Sequence, residues 1–257
     1  MRALDIRQFF CGRDNYGVLI HDPASGETAA VDTPELGPIR SALSETGWRL
    51  THIFTTHHHG DHVAGHEALR RETGCAVVAA AADAHRIPAV TVALREGEAA
   101  RLGDHEFVML DTPGHTRGHV AYHCEAASVA FVGDTLFSLG CGRLLEGTAD
   151  EMHASLAKLA ALPAETMIYC GHEYTLANAR FALTIDSENA ALRRRAAEAE
   201  ALRADGKPCA PMRLADELRA NPFLRVHDEA VQSALGIRGA PEAEVFAEMR
   251  RRKDKFA

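Results

Sequence analysis

Apolar residues in the first two thirds of the chain come in short runs that end at turn residues, a pattern typical of β-strands. The first two runs, Val18–Ile20 and Ala29–Val31, flank PASGET and predict a β-hairpin. Later runs predict six further strands: Leu50–Phe54, Cys75–Val78, Phe107–Leu110, Val120–His123, Val129–Val132 and Met167–Cys170.

Two helices are predicted between these strands. Val63–Arg71 has helical character and is closed by Gly74. Thr148 and Glu151 form a capping box, which opens a helix that runs through Leu162 and is stopped by Pro163.

The character of the chain changes after residue 172. Asn189–Ala204 is rich in Ala and Arg and predicts a helix. Another helix is expected after Pro241, with acidic residues early and basic residues late, the order that the helix dipole favours. We therefore predict a mixed α/β domain over residues 1–172 and a smaller helical domain over residues 173–257.

Composition narrows the class of protein. The 257 residues are 46% hydrophobic, enough to bury a sizeable core, and the net charge is −8. Residues 1–172 hold 13 basic and 22 acidic side chains, a balance that suits cation binding better than nucleic-acid binding. No apolar run approaches the roughly 20 residues that span a bilayer. We expect no secretory signal, and the six cysteines are scattered, so we predict a cytoplasmic protein with free thiols. We do not expect it to bind nucleic acid or a membrane.

The stretch TTHHHGDHVAGH at 55–66 concentrates five histidines in twelve residues. In an extended segment alternate residues point the same way, so His57 and His59 can face one point while His58 turns away. Asp61 and His62 follow, where they could face a second point. Isolated histidines elsewhere are expected to be structural, and His58 and His119 to support the ligands or the fold.

Three more side chains of ligand type follow predicted strands, namely His115, Asp134 and His172. If those strands share a sheet edge, all seven groups converge there. A catalytic zinc ion uses about three protein ligands, so seven suit two ions that share a carboxylate. Zinc is the first expectation, and iron or manganese also accept such ligands.

The motifs resemble those of a known family. HHHGDH at 57–62 resembles the HxHxDH signature of the metallo-β-lactamase-fold hydrolases. Over essentially the whole chain, further motifs resemble hydroxyacylglutathione hydrolase, also called glyoxalase II: TPGHTRGH (112–119), GDTLF (133–137), CGRLLEGTADEM (141–152), CGHEYT (170–175), NPFLR (221–225) and RRRKDKF (250–256).

The resemblance implies an α/β fold, a four-layer αβ/βα sandwich followed by a helical substrate-binding domain. It assigns His57, His59 and His115 to one metal ion. Asp61, His62 and His172 hold the other, and Asp134 bridges the two. It also implies glutathione contacts from Arg143, Tyr174, Arg250 and Lys253.

The implied reaction is hydrolysis of S-D-lactoylglutathione to D-lactate and glutathione by a metal-bound hydroxide, in methylglyoxal detoxification. Asp61 and Asp134 would hold metal and nucleophile in place, and the enzyme is expected to act as a monomer. The alternative is a persulfide dioxygenase with one iron that acts on glutathione persulfide. A lactonase, a β-lactamase, a nucleic-acid-processing protein and a metal-free binding module are weaker alternatives.

The chain departs from the family pattern at four positions. Ala64 and His66 replace the usual glycine and asparagine after HxHxDH. Leu145 stands where many relatives carry an aromatic residue, and Arg143 replaces a lysine found in some relatives. These departures affect the expected shape of the pocket and leave the metal ligands intact.

Overall fold

A computed structural model describes residues 3–256. They form two compact units, one reaching to Asp111 and including Gly118–Gly133, the other comprising Thr112–Arg117 and the chain from Asp134 onward. The units therefore interleave along the sequence. The predicted domain boundary at residue 172 is a different division and stays a prediction.

The first unit contains a six-stranded sheet whose strands follow chain order. The first three strands pair antiparallel and the next three pair parallel. Val18 pairs with Val31 and His21 with Thr28, so the predicted hairpin is confirmed. The strands are β1 (Asp5–Cys11), β2 (Asn15–Asp22), β3 (Glu27–Val31), β4 (His52–Phe54), β5 (Ala76–Ala80) and β6 (Val92–Leu94).

Three helices accompany this sheet: α1 (Leu36–Thr46), α2 (Gly60–Val63) and α3 (His66–Thr73). Ile39 of α1 packs in one apolar cluster with Leu19 and Ile53 of the sheet. The continuous helix predicted over Val63–Arg71 is instead broken before His66. At the break the backbone N–H of Gly65 donates to the Thr33 carbonyl at 2.9 Å, outside the helix. Thr33 also lies so close that a Cβ at residue 65 would be 2.9 Å from its hydroxyl.

Four antiparallel strands form the other sheet surface of the first unit: β7 (Ala99–Leu102), β8 (His105–Asp111), β9 (Val120–Cys124) and β10 (Val129–Gly133). Aromatic side chains join the two sheets. The Phe54 ring lies 5.3 Å from that of Phe107 and 5.4 Å from that of Tyr122. The Tyr122 hydroxyl donates to the carbonyl of Thr55 at 3.0 Å, which anchors the chain just before the histidine cluster.

The second unit contains two short antiparallel strand pairs and most of the helices. β11 (Leu136–Phe137) pairs with β12 (Gly140–Cys141), and β13 (Met167–Cys170) pairs with β14 (Met212–Arg213). The helices are α4 (Ala149–Ala160), α5 (Thr175–Ile185), α6 (Ala190–Ala204), α7 (Leu214–Ala220), α8 (Glu229–Leu235) and α9 (Glu242–Asp254).

The capping box at Thr148 is confirmed, with both of its hydrogen bonds present. Apolar side chains of α5, α6 and α7 bury one another and Leu139 in a single cluster. Across residues 3–256, no helix combines the length and the apolar character needed to cross a membrane.

Candidate metal centre and substrate pocket

Three of the predicted ligands lie close together on the loop and helix that follow β4. Nε2 of His57 is 3.1 Å from Nδ1 of His59, and the ring centroids of His57 and His62 are 4.0 Å apart. The ring of His58 is directed elsewhere, with its Nδ1 2.9 Å from Oδ2 of Asp83. The neighbouring histidines thus divide into a group of candidate ligands and one residue, His58, that contacts Asp83 instead.

Asp32, directly after β3, is a buried carboxylate that sequence reasoning missed. Its Oδ2 accepts hydrogen bonds from Nδ1 of His62 at 2.8 Å and the hydroxyl of Thr56 at 2.7 Å. Its Oδ1 accepts from the backbone N–H of Thr56 at 2.8 Å. With Nδ1 of His62 donating to the carboxylate, its Nε2 keeps a lone pair for a metal ion. Ligand-type atoms of Asp32, His57 and His62 lie within 4.8 Å of one another.

Asp61 lies in the first turn of α2 with a side chain that is 55% exposed. Its Oδ2 is 3.9 Å from Nε2 of His62. Asn15, a second residue that sequence reasoning missed, donates from Nδ2 to the Asp61 carbonyl at 3.1 Å and to Oδ2 at 3.3 Å. The amide therefore restrains the Asp61 carboxylate beside the imidazole.

The second unit brings together His115, Asp134 and His172, and all three are buried. Oδ2 of Asp134 lies 3.5 Å from Nε2 of His115 and 3.3 Å from Nε2 of His172. Nδ1 of His115 is 2.9 Å from the carbonyl oxygen of Arg143 and donates to it, which leaves Nε2 facing the carboxylate. One carboxylate oxygen and two imidazole nitrogens this close together are donor atoms of the kind that divalent metal ions bind.

The donor atoms within each unit fit divalent metal ions. They are imidazole nitrogens and carboxylate oxygens, which zinc, iron and manganese all accept. His62 and His115 each engage their remote Nδ1 in a hydrogen bond, the usual arrangement of a metal-binding histidine. Burial of Asp134 beside two imidazoles is also the setting in which a cation balances a carboxylate's charge.

A cavity of about 360 Å³ opens beside His115 and Asp134 within the second unit. Its wall contains all four side chains for which the sequence resemblance implies glutathione contacts: Arg143, Tyr174, Arg250 and Lys253. The remaining wall residues are Phe137, Cys141, Ala177, Asn178, Asp254 and Phe256. Cationic groups and candidate metal ligands thus share one cavity.

The basic end of α9 enters this cavity wall and is not merely a solvated helix end. Arg250 is only 3% exposed, donates to the Cys141 carbonyl at 3.0 Å and pairs with Asp254 at 2.7 Å. Lys253 donates from Nζ to the Ala177 carbonyl at 2.9 Å. Burial, reinforced by the nearby charges of Arg250 and Arg180, lowers the pKa of Lys253 to about 8.

Tyr174 links the cavity to a candidate ligand. Its ring stacks on that of His172, with centroids 4.8 Å apart and planes 6° apart. The Phe137 ring meets the Tyr174 ring nearly edge-on at 5.3 Å. These aromatic contacts fix the orientation of the His172 imidazole from the cavity side.

Comparison with known proteins agrees with this geometry. Residues 13–172 match the family model "Metallo-beta-lactamase superfamily", and residues 173–256 match "Hydroxyacylglutathione hydrolase C-terminus". A hydroxyacylglutathione hydrolase of Methylococcus capsulatus is 56% identical over 253 residues, covering 98% of this chain and 99% of the relative. Another from Mesorhizobium japonicum is 54% identical, covering 99% and 100% of the two chains. This chain belongs to the hydroxyacylglutathione hydrolase family.

Family membership confirms the resemblance and the enzyme class read from the motifs: the chain is a metal-binding hydrolase of the metallo-β-lactamase superfamily. The predicted α/β fold class is confirmed as well. A solved structure named ETHE1 from Myxococcus xanthus matches with a TM-score of 0.69 and 28% identity, over 96% of this chain and 90% of that one.

The alternative of a persulfide dioxygenase is not favoured. Curated relatives at 51–56% identity that align over nearly their full length are named hydroxyacylglutathione hydrolase. The C-terminal family model that matches residues 173–256 carries the same name.

Two departures from the pattern of the hydroxyacylglutathione hydrolase family have distinct settings. His66 is fully buried, with Nδ1 2.6 Å from the hydroxyl of Thr33 and Nε2 2.7 Å from that of Thr55. Burial lowers the pKa of His66 to about 4, so it is a neutral structural residue near pH 7. Leu145 is 54% exposed, and its backbone N–H donates to the His115 carbonyl at 3.3 Å.

Proposed function

We propose that this chain hydrolyses the thioester S-D-lactoylglutathione to D-lactate and glutathione, and so serves methylglyoxal detoxification. The observation that carries the proposal is the cavity in which Arg143 and Lys253 share a wall with His115 and Asp134. Glutathione bears carboxylates that Arg and Lys side chains bind. The thioester carbonyl needs a Lewis acid nearby to polarise it, and the candidate metal ligands could hold one. The names of the curated relatives point to the same substrate.

We further propose two divalent metal ions per chain, zinc first, with iron or manganese as alternatives. One set of ligands would be His57, His59 and His115. The other would be Asp61, His62 and His172, with Asp134 shared. When bound, the ions supply Lewis acidity that lowers the pKa of a water molecule and polarises the thioester carbonyl.

The side chains of this protein bind and orient the reactants. Arg143 and Lys253 hold the substrate carboxylates, and Tyr174 shapes the wall beside them. Asp61 and Asp134 would hold the metal ions and position the attacking water. Water adds to the thioester carbonyl carbon and gives up a proton to solvent. The C–S bond breaks, so that the acyl group leaves as D-lactate and glutathione leaves as a thiolate. Because a thiol has a pKa of about 8.5, the leaving group departs without a strong general acid.

The remaining expectations also belong to this proposal. Residues 173–257 would form the substrate-binding domain, since Tyr174, Arg250 and Lys253 lie in that stretch. Every proposed ligand comes from one chain, which is consistent with a monomer. All six cysteines are free and buried, as in proteins of a reducing cytoplasm.

The experiment that tests the proposal measures hydrolysis of S-D-lactoylglutathione by purified protein, followed by the loss of thioester absorbance. Metal content is determined on the same sample by atomic emission. We expect turnover that a chelator abolishes and zinc restores, with two metal ions per chain. Two bound metal ions without turnover would overturn the substrate, and full activity with one ion would overturn the metal count.

A pair of variants separates the bridging role of Asp134 from a general loss of acidic charge. Asp134→Ala is expected to lose metal and activity together. Asp150→Ala, which removes an exposed carboxylate from the first turn of α4, is expected to retain both. Retention of two metal ions by Asp134→Ala would show that the bridging assignment is wrong.

A further inference from the structure

The NPFLR motif at 221–225 contacts the turn that joins β11 to β12, which we call the 137–140 turn. Nδ2 of Asn221 donates to the carbonyl oxygens of Phe137 at 3.2 Å and Gly140 at 3.0 Å. Asn221 is fully buried, and its Oδ1 accepts the backbone N–H of Phe223 at 3.1 Å. The Asn221 side chain therefore holds both ends of the 137–140 turn and also caps the short segment that begins at Pro222.

Glu217, one helical turn earlier, holds the middle of the same turn. Its Oε2 accepts the backbone N–H of Leu139 at 2.8 Å, and its Oε1 accepts the hydroxyl of Ser138 at 3.1 Å. Oε2 also accepts from Nδ2 of Asn221 at 3.1 Å. Glu217 is 1% exposed, so this carboxylate is committed to the turn rather than to solvent.

The backbone of the 137–140 turn needs such restraint. Leu139 has a φ of +57°, a left-handed conformation that a residue with a branched side chain rarely adopts unless its surroundings impose it. Nδ2 of Asn178 donates to the Ser138 carbonyl at 3.1 Å. A Cβ at Gly140 would lie 2.5 Å from the Asn178 side chain, so the turn is also enclosed sterically.

Both ends of the turn carry groups of the substrate cavity. At one end the Phe137 ring packs edge-on against Tyr174, which stacks on His172. At the other end the carbonyl of Cys141 accepts the Arg250 guanidinium. A shift of the turn would therefore displace the aromatic wall and the basic wall together.

The motif supports the basic wall by a second contact. The guanidinium of Arg250 lies 5.5 Å from the centre of the Phe223 ring, within the range of a cation–π interaction. Phe223 in turn packs against Phe181 and Phe246 in the helical core. Asn221 of the NPFLR motif thus holds the 137–140 turn, and Phe223 of the same motif contacts Arg250, which binds the end of that turn.

We infer that Asn221 and Glu217 are positioning residues for the glutathione half of the substrate: by fixing the 137–140 turn they set the separation between the Phe137–Tyr174 wall and Arg250. Neither side chain is among those that line the cavity, so their effect on the substrate passes through the turn. This inference rests on the proposed function, because it assigns the cavity to glutathione.

The test compares Asn221→Ala with Asn189→Ala. Asn189 is a matched control, because it also caps a helix of the second unit and donates to a carbonyl, that of Arg219, yet does not line the cavity. Kinetics with S-D-lactoylglutathione are combined with calorimetric binding of S-methylglutathione and with metal analysis. For Asn221→Ala we expect KM and Kd about tenfold higher, because a displaced turn would cost the substrate about one hydrogen bond to the cavity wall. We expect KM and Kd to change more than kcat and metal content, because the turn contacts Arg250 directly but reaches His172 only through Phe137 and Tyr174.

The possible outcomes are distinct. Wild-type turnover with unchanged KM and Kd in Asn221→Ala would overturn the inference and leave the proposed function intact. Equal changes in Asn189→Ala would also overturn it, since they would show a general stability effect. Wild-type protein that neither hydrolyses nor binds the glutathione compounds would overturn both.

Asn221→Ala could fail to fold, and Glu217→Gln then provides the measurement. This substitution preserves the shape of the side chain but replaces one carboxylate oxygen with an amide donor, so it cannot accept from both Leu139 and Ser138. An increase in KM with kcat retained would support the inference, and wild-type kinetics in a folded Glu217→Gln would overturn it.

Discussion

His62 donates a hydrogen bond from Nδ1 to Oδ2 of Asp32 across 2.8 Å, with both side chains buried. Two further hydrogen bonds from Thr56 hold the same carboxylate. Asp32 therefore has a restrained position from which it orients the His62 imidazole. The backbone of Asp32 has a φ of +54°, a strained left-handed conformation. Such conformations persist where the surrounding structure imposes them, and they are frequent at functional sites. The carboxylate thus orients a candidate metal ligand.

We predict that Asp32→Asn weakens metal binding while preserving the fold. Asparagine tolerates the left-handed backbone and keeps the size of the side chain, but it replaces the charged acceptor of the His62 proton. Loss of such a partner lowers metal affinity about 10–100-fold. Competition with a chromophoric chelator measures the affinity, and activity should fall in parallel at limiting metal.

A control for this prediction is Glu106→Gln, which neutralises an exposed carboxylate of the first unit. Unchanged metal affinity in Asp32→Asn, or equal loss in Glu106→Gln, would contradict the orienting role.

Much of the fold was predictable because its signals are local. The hairpin around PASGET and the capping box at Thr148 depend on residues close together in sequence, and both form as predicted. Helix α1 was missed because its start at Leu36 has no side-chain cap, with Glu35 at the N-cap position making no capping bond. The break before His66 was missed because it depends on Thr33, a contact that no local pattern records.

The candidate site shows the same division. Each ligand-type residue that the strand-end rule proposed does follow a strand or its turn, since that rule depends only on chain order. Asp32 also follows a strand and could have been found by the same rule. Asn15 and Glu217 carry no such signal, because what they do depends on Asp61 and Leu139, which are distant in sequence.

His66 predicts acid sensitivity of the fold. Its pKa is about 4 in the folded protein against an ordinary value of 6.5 for a free histidine side chain, so the unfolded chain takes up the proton first. The contribution to stability is therefore complete above pH 6.5 and is lost as pH falls toward 4. The full loss is about 3 kcal/mol, from the difference in pKa. Urea unfolding of metal-free protein at pH 7 and pH 4.5 measures most of it.

Replacement of His66 by asparagine, the residue usual in the family at this position, should reduce that loss of stability between pH 7 and pH 4.5. His85→Asn is the control, because His85 is exposed. If His66→Asn keeps the full wild-type acid dependence, then other buried groups cause it.

Leu145→Tyr is expected to strengthen substrate binding. Leu145 is exposed, and it follows the cavity residue Arg143 by two positions. We expect a longer aromatic side chain with a hydroxyl at this position to reach the substrate and add a polar contact that leucine lacks. We expect KM to fall about threefold with kcat unchanged, the effect of one modest hydrogen bond. Steady-state kinetics with S-D-lactoylglutathione check this, with Leu145→Phe separating ring from hydroxyl. A rise in KM for both variants would show that the position restricts the pocket.

Lys253 predicts weaker substrate binding at alkaline pH. Its pKa of about 8 lies below the usual value because burial and the charges of Arg250 and Arg180 disfavour the ammonium, while Asp254 opposes them. As pH rises through 8 the ammonium loses its proton and with it the attraction for a substrate carboxylate. KM should therefore rise by about tenfold between pH 7 and pH 9.5, the loss of one charge-assisted hydrogen bond.

Lys253→Arg should show little of this rise, because a guanidinium stays protonated throughout the range. Lys253→Met should have a high KM at every pH. A wild-type KM that stays constant to pH 9.5, or a Lys253→Met variant with the wild-type profile, would remove Lys253 from substrate binding.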